Sequence, residues 1–327
     1  MTGTALCAAG VVLSTAGYFA GGKDFTYTSD HMYVSGGNSS SRKNLTVMKK
    51  EQIDDFTKLN VDFENFDLDI RTSDDDHYYM EYKLEKNGRK NPLTWKDKDG
   101  ELTLEESAGG SGSYYITYDL GIFSTHADLT EKKDALNTVI LYIPEKAQLS
   151  EAELQLSDGD LTADQLLCKE MTLELLNGDL MLDKGEFEKF DAKLSDGDLN
   201  VKELQCTDNM QLKSGNGDVT IKKAELADGQ IVLSDGDLQI DNGSFNGDMK
   251  INSSCGDVSV EMKNGSAEKT NIYLKAADGD VDTEGLSRGK TDNEEDTSVY
   301  ENKAGASAPT LNVECSDGDI TLTESEK

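Results

Sequence analysis

Leu173-Glu174-Leu175-Leu176-Asn177-Gly178-Asp179-Leu180-Met181-Leu182 is followed 19 residues later by Ala192-Lys193-Leu194-Ser195-Asp196-Gly197-Asp198-Leu199-Asn200-Val201. Apolar residues alternate on both sides of an Asn/Asp-Gly-Asp turn. The pattern recurs in register at Gly159, Gly178, Gly197, Gly217, Gly236, Gly256, Gly279 and Gly318, at intervals of 19, 19, 20, 19, 20, 23 and 39 residues, with Cys255 the one exception to Asn or Asp before the glycine. A fixed period of this length marks a repeat architecture.

The positions five and three before each glycine, and two and four after it, are apolar in nearly every copy, as in Leu154/Leu156 with Leu161/Ala163 and Ile231/Leu233 with Leu238/Ile240. Period-two alternation is the mark of a strand with one buried face, and a helical spacing of i, i+3, i+4 is absent. Two more apolar columns lie nine after the glycine (Cys168, Phe187, Cys206, Leu226, Phe245) and seven before it (Ala152, Met171, Phe190, Met210, Gly229, Met249). Each period therefore holds about three short strands. Hairpins would point neighbouring turns to opposite ends and give no reason for one identical turn per period. The expected fold is all-β: a parallel β-solenoid with one coil of about 19–20 residues per repeat. No proline falls between Pro144 and Pro309, as a ladder that needs every N–H requires.

Acids outnumber bases 64 to 32, for a net charge of −32. That field repels nucleic acid, which is excluded as a partner, and disfavours anionic membrane surfaces. The cysteines (Cys7, Cys168, Cys206, Cys255, Cys315) follow no metal-ligand spacing. Cys168 and Cys206 share a column two coils apart, roughly 10 Å, which is beyond disulfide reach. They read as small buried hydrophobes.

Along the chain, 1–22 is uncharged and rich in small apolar residues, and reads as an N-terminal apolar helix: a transmembrane anchor or a signal segment with Ser14-Thr15-Ala16 as a cleavage site. Residues 23–54 read as a flexible linker. Residues 55–145, with Trp95 and clustered tyrosines, read as irregular N-terminal coils capping the solenoid. Residues 146–327 form the Gly-Asp repeat solenoid, with a charged loop insertion at about 287–310 before the last coil. The closing Glu324-Ser325-Glu326-Lys327 then protects a terminal edge.

The apolar start, the Val139-Ile140-Leu141-Tyr142-Ile143-Pro144 strand, the serial Asn/Asp-Gly-Asp-Leu/Val/Ile copies and the late loop together resemble the bacterial "putative-adhesin" family of β-strand-repeat proteins of unknown function, common in Firmicutes. The resemblance covers about Phe56 to Leu322. It implies a right-handed β-helix-like fold, often membrane-anchored, and carries over no catalytic residue.

Two site readings follow. Stacked carboxylates about 5 Å apart repel unless solvated or bridged. One reading is a Ca²⁺ ladder through Asp160, Asp179, Asp198, Asp218 and Asp237, because calcium favours several carboxylate oxygens. The other has each aspartate bonding turn N–H groups and facing water. Catalysis is not expected: the histidines (His31, His77, His126) all precede the repeats, and no nucleophile elbow or phosphate loop occurs. The repeats offer few rings for sugar stacking, and the first coils around Tyr78, Tyr79, Tyr82, Trp95, Tyr114, Tyr115 and Tyr118 are the better aromatic surface. The expected role is a membrane-anchored or secreted extracytoplasmic module that contacts protein or cell-wall polymer without catalysis. An envelope sensor domain and a β-helix glycan-active enzyme are the alternatives.

Overall fold

The structure is a computed structural model that describes residues 25–27, 32–34, 45–108, 136–283, 286, 289–294 and 297–326. The expected apolar helix at 1–22, with Cys7, lies outside them, as do His31, His126, Tyr114, Tyr115 and Tyr118. Among the described residues no helix is long and apolar enough to cross a membrane. The chain divides into two compact units. The described part of the first contains an antiparallel hairpin of β1 (Phe25–Tyr27) and β2 (Met32–Val34), with Phe25 opposite Val34.

The second unit is one continuous hydrogen-bonded ladder. It starts inside the supposed linker: β3 (Leu45–Ile53) is a strand paired with β6, so the flexible reading of 23–54 fails there. The N-terminal strands are β4 (Lys58–Phe63), β5 (Asp67–Ser73), β6 (Tyr78–Glu85), β7 (Leu93–Lys98), β8 (Glu101–Glu106) and β9 (Thr138–Pro144). β4 and β5 build a first coil, and β8 and β9 lie parallel to them on the outer side. β7 and β6 then pair antiparallel with β8 and β9. The cap is thus parallel coils closed by antiparallel strands. On its other side the first coil meets the first repeat, with Leu154 beside Val61 and Leu161 beside Leu68.

The repeats run through β10 (Leu149–Asp158), β11 (Leu161–Asn177), β12 (Leu180–Asp196), β13 (Leu199–Asn216), β14 (Val219–Ile221), β15 (Ala224–Asp235), β16 (Leu238–Phe245), β17 (Met249–Cys255) and β18 (Val258–Met262). All pair in parallel, one coil apart: Leu161 with Leu180, Leu175 with Leu194, Leu180 with Leu199. Apolar alternation buries one face, and the buried side chains form a single core from Ile53 to Leu322. In β11 that face shifts phase twice, at Asp164/Gln165 and Lys169/Glu170, which divides the coil into three inward-facing segments. The twentieth residue of the longer coils is absorbed at one corner, where the register shifts between Cys206 and Asn209.

A core column invisible to the periodicity lies seven residues after each glycine: Leu166, Gly185, Leu204, Ala224 and Gly243, all buried. Its size compensates the column two residues on. Leu166 and Leu204 precede Cys168 and Cys206, Ala224 precedes Leu226, and Gly185 and Gly243 precede Phe187 and Phe245. A Cβ on Gly185 would sit 2.6 Å from the Phe187 ring and 2.8 Å from Leu182 Cδ2. Each coil thus fills the same cross-section with a different partition. Gly185→Leu should cost about 1–3 kcal/mol by overpacking. Adding Phe187→Cys, which copies the neighbouring coils, should recover most of that loss. Denaturant midpoints in a double-mutant cycle check this, and additive losses would refute the compensation.

The far end departs from chain order. Its elements are a short 3₁₀ turn (Ala267–Lys269), β19 (Asn271–Asp278), β20 (Val281–Asp282), β21 (Lys290–Glu294), β22 (Thr297–Asn302), β23 (Thr310–Asp317) and β24 (Ile320–Glu324). The coil that stacks on β17 and β18 is the last in sequence: Ile251 lies beside Val313 and Val258 beside Ile320. The coil of β19 and β20 lies beyond it, with Leu274 beside Val313. The C-terminal coil is therefore interior, and its final residues do not guard an exposed edge as expected. The expected loop at 287–310 contains the β21–β22 hairpin, whose β22 pairs antiparallel with β19. The N-terminal end uses the same device, because β8 and β9 lie outside the first coil rather than following it inward.

The aspartate column as candidate functional site

The backbone at each Gly-Asp turn explains the aspartate. Gly178 N–H donates to Asp196 O at 3.0 Å and Leu180 N–H donates to Asp198 O at 2.9 Å, both toward the next coil. The peptide between them is flipped, so Asp179 N–H points back to the previous coil. There it donates to the Asp160 carboxylate at 2.9 Å. The side chain supplies the acceptor that a backbone carbonyl supplies elsewhere in the ladder.

The same bond links Asp198 to Asp179, Asp218 to Asp198, Asp237 to Asp218 and Asp257 to Asp237. It continues in spatial order, from Asp319 N–H to Asp257 at 2.8 Å and from Asp280 N–H to Asp319 at 2.8 Å. Toward the N-terminus it reaches a residue the repeat pattern missed. Asp160 N–H donates to Asp67 at 3.0 Å, where Phe66-Asp67 stands in place of Gly-Asp. Burial pushes the Asp67 carboxyl above its usual value, partly offset by the bond from Asp160 N–H. The five residues of the calcium reading thus stand in one column, each carboxylate accepting a main-chain N–H. Among the described residues no group of three or more His, Cys, Asp or Glu side chains is disposed to hold a metal ion.

Beside this column, the residues preceding the glycines alternate between Asp and Asn over the first copies. Asn177 Nδ2 donates to Asp158 at 2.7 Å and Asn216 Nδ2 donates to Asp196 at 2.6 Å. Amides between carboxylates turn a repulsive stack into a bonded one. A second, shorter column occupies another corner, at a Gly-Asp pair outside the 19–20-residue series. Asp248 N–H donates to Asp228 at 2.7 Å and Thr310 N–H donates to Asp248 at 2.9 Å. The Asn246-Gly247-Asp248 triplet was its sequence signal.

Asp198→Ala should cost about 0.5–1.5 kcal/mol, because it removes the acceptor of the Asp218 N–H at an exposed corner where water can take its place. Asp198→Asn, which keeps an oxygen in place, should cost well under half of that. Urea midpoints of the two variants check this, and equal losses would mean that the carboxylate acts by charge.

The outer faces are polar. Lysines reach one coil across to carboxylates, as in Lys58–Glu151 at 2.7 Å, Lys189–Glu170 at 2.9 Å and Lys202–Asp183 at 2.6 Å. Such exposed pairs are screened by water and contribute little to stability. Cys168, Cys206 and Cys315 are buried free thiols, and burial pushes Cys168 up to about 12, so it stays protonated. Cys255, in the outward turn column, is exposed. Of the proposed aromatic surface, Tyr78 is buried against Phe56, whereas Trp95 is 39% exposed. Tyr79 and Tyr142 are half-buried under the Lys50 ammonium, which is 3.7 Å from the Tyr142 ring centre. His77 is exposed, 3.6 Å from Asp75.

The Toastrack DUF4097 family model matches residues 56–323, and the chain belongs to that family. Comparison with curated proteins finds no match. Among solved structures it is similar to a "putative adhesin" from Parabacteroides merdae, at 16% identity and TM-score 0.47, covering 86% of this chain and 97% of that one. A "putative adhesin" from Parabacteroides distasonis matches at 16% identity and TM-score 0.44, over 86% of this chain and 97% of that one. A "putative lipid binding protein" from Parabacteroides distasonis matches at 12% identity and TM-score 0.43, over the same shares of 86% and 97%.

Proposed function

We propose, taking Toastrack membership as the premise, that this chain is a non-catalytic surface-interaction module working outside the cytoplasm. Its N-terminal segment would hold it to the membrane or direct its secretion, and its flat outer faces would bind protein or wall polymer. The observation that carries this reading is how the repeat uses its functional groups. Inward columns fill the core, and the recurring carboxylates accept main-chain N–H groups in a ladder. What remains for a partner is the rigid outward surface of the parallel sheet, where side chains repeat every coil at about 4.8 Å. Purified protein mixed with intact bacterial cells should sediment with them, and protease added outside producing cells should degrade the native protein. Failure of both would overturn the reading.

The same ladder leads us to assign the aspartate column a structural role in place of calcium binding. Because the carboxylates of Asp160, Asp179, Asp198, Asp218 and Asp237 each already have an N–H partner, millimolar Ca²⁺ should shift the melting temperature by less than about a degree. A ligand present at 100 times its Kd would add about 2.7 kcal/mol, a shift of several degrees. A shift of that size would restore the calcium reading.

A further inference from the structure

The outward side of β13, β15, β17, β23 and β19 differs from the rest of this acidic chain. One row along it, coil by coil, reads Gln211, Gln230, Lys250, Asn312 and Tyr273. The parallel row two residues on reads Lys213, Val232, Asn252, Glu314 and Lys275. The two rows hold three lysines and one carboxylate, although the whole chain has 64 acids to 32 bases. Three of the five residues in the first row are primary amides; Gln211 Nε2 also donates to Asn209 Oδ1 at 3.4 Å and Asn312 Nδ2 to Glu314 Oε1 at 3.2 Å. An amide offers a donor and an acceptor side by side, the pairing that vicinal hydroxyls need.

At β19 the first row reaches a cleft of about 400 Å³ lined by Asn271, Tyr273, Glu301, Lys303, Ala306 and Thr310, and it passes on to Glu301, directly across from Tyr273 on β22. Tyr273 is half-exposed on the outer face of β19, while its neighbours Ile272 and Leu274 point into the core. The cleft wall is fixed by one residue. Asn271 Nδ2 donates to Gly305 O at 2.9 Å and Ala308 O at 3.1 Å, and its Oδ1 accepts from Ala304 N–H at 2.9 Å and Gly305 N–H at 3.2 Å. A preformed cleft with one ring and a few polar groups at its rim suits a small amphipathic ring.

We propose that this face binds an extended neutral polysaccharide, with one sugar stacked on Tyr273 in the cleft and following units lying along Asn312, Lys250, Gln230 and Gln211. The coil spacing of about 4.8 Å is close to the length of one pyranose in an extended β-1,4-linked chain, so one unit falls on each coil. A pyranose presents an apolar C–H face to an aromatic ring and hydroxyls around its edge, which matches Tyr273 flanked by amides. The low density of carboxylates in these two rows weakens the chain's own negative field along them. The proposal deepens the surface-binding reading by naming its ligand class.

Titration of the full chain with cellohexaose, chitohexaose and maltohexaose by calorimetry tests it. Saturable binding of cellohexaose or chitohexaose is expected, with maltohexaose, whose α-linked chain curves, much weaker. Tyr273→Ala should weaken binding about tenfold while Tyr273→Phe retains it. Should Tyr273→Ala melt early, Gln230→Ala, on the open face, takes its place, with a smaller loss of affinity expected. No saturable binding of either extended hexamer at millimolar concentration, equal binding of maltohexaose, or affinity indifferent to both substitutions overturns the proposal. A protein that sediments with cells yet ignores both extended glycans would sink this inference alone and leave the surface-binding reading standing.

Discussion

Gly197→Val should abolish or nearly abolish the folded repeat, with a loss of at least about 4 kcal/mol. A Cβ built on Gly197 overlaps the carbonyl oxygen of Gly178 in the preceding coil, and the glycine sits at φ +136°. That oxygen belongs to a stacked backbone, so it has little room to yield. The same overlap recurs at Gly178 on Gly159, Gly217 on Gly197, Gly236 on Gly217, Gly256 on Gly236, Gly318 on Gly256 and Gly279 on Gly318.

Alanine variants separate the two causes. Gly178 meets the Gly159 carbonyl oxygen without lying in the left-handed region, whereas Gly265 has φ +76° and open space around it. Gly265→Ala should therefore cost about 1 kcal/mol from backbone strain alone. Gly178→Ala should cost about 2–3 kcal/mol from collision alone, and Gly197→Ala more than either. Chemical denaturation ranks them. A Gly178→Ala variant as stable as the parent would show that the stack can open to admit a methyl group, and the close-packed glycine column would be wrong.

This bears on what could be read from the residues alone. Turn chemistry correctly places a bend at each Gly-Asp, but it credits the glycine with freedom of φ. The stronger constraint is the glycine in the coil below, a contact between residues 19–20 positions apart that no local rule contains. The aspartate is similar. Its column was legible and its hydrogen-bonding role was one of two open readings, but the flipped peptide that demands an acceptor exists only once coils are stacked. Asp67 was hidden because Phe66 replaces the glycine. The column at Gly185 and Gly243 was hidden because glycine is the small partner of a phenylalanine, and hydropathy registers the pair as a gap. The row leading to Tyr273 was hidden because outward positions carry no period of their own.

Coil order was the least legible feature, for a physical reason. Every coil presents the same inward columns and the same Gly-Asp corner, so the pattern permits any coil to follow any other. The interval of 39 residues between Gly279 and Gly318 reads as two periods with a loop, yet Gly318 stacks directly on Gly256 and carries Gly279 on its other side.

Removing residues 309–327 is the variant that tests this order, and its expected effect is larger than that of losing an end coil. Leu311, Val313, Ile320 and Leu322 are each at most 1% exposed and pack between two coils. Their burial is worth about 6–12 kcal/mol at about 1.5–3 kcal/mol each. The loss also strips hydrogen-bond partners from β17 and β18 on one side and from β19 and β20 on the other. A repeat array is stabilised by nearest-neighbour interfaces, so the break should stay local. Residues 263–308 should lose amide protection and become open to protease, while protection from β4 through β16 persists. Deleting only Glu326 and Lys327 should leave both regions unchanged, because the described bonds at that end are made by Glu324 and Ser325. If the truncated chain kept Ile272 and Leu274 protected, β19 would not depend on β23, and the C-terminal coil would have to lie at the outside of the stack.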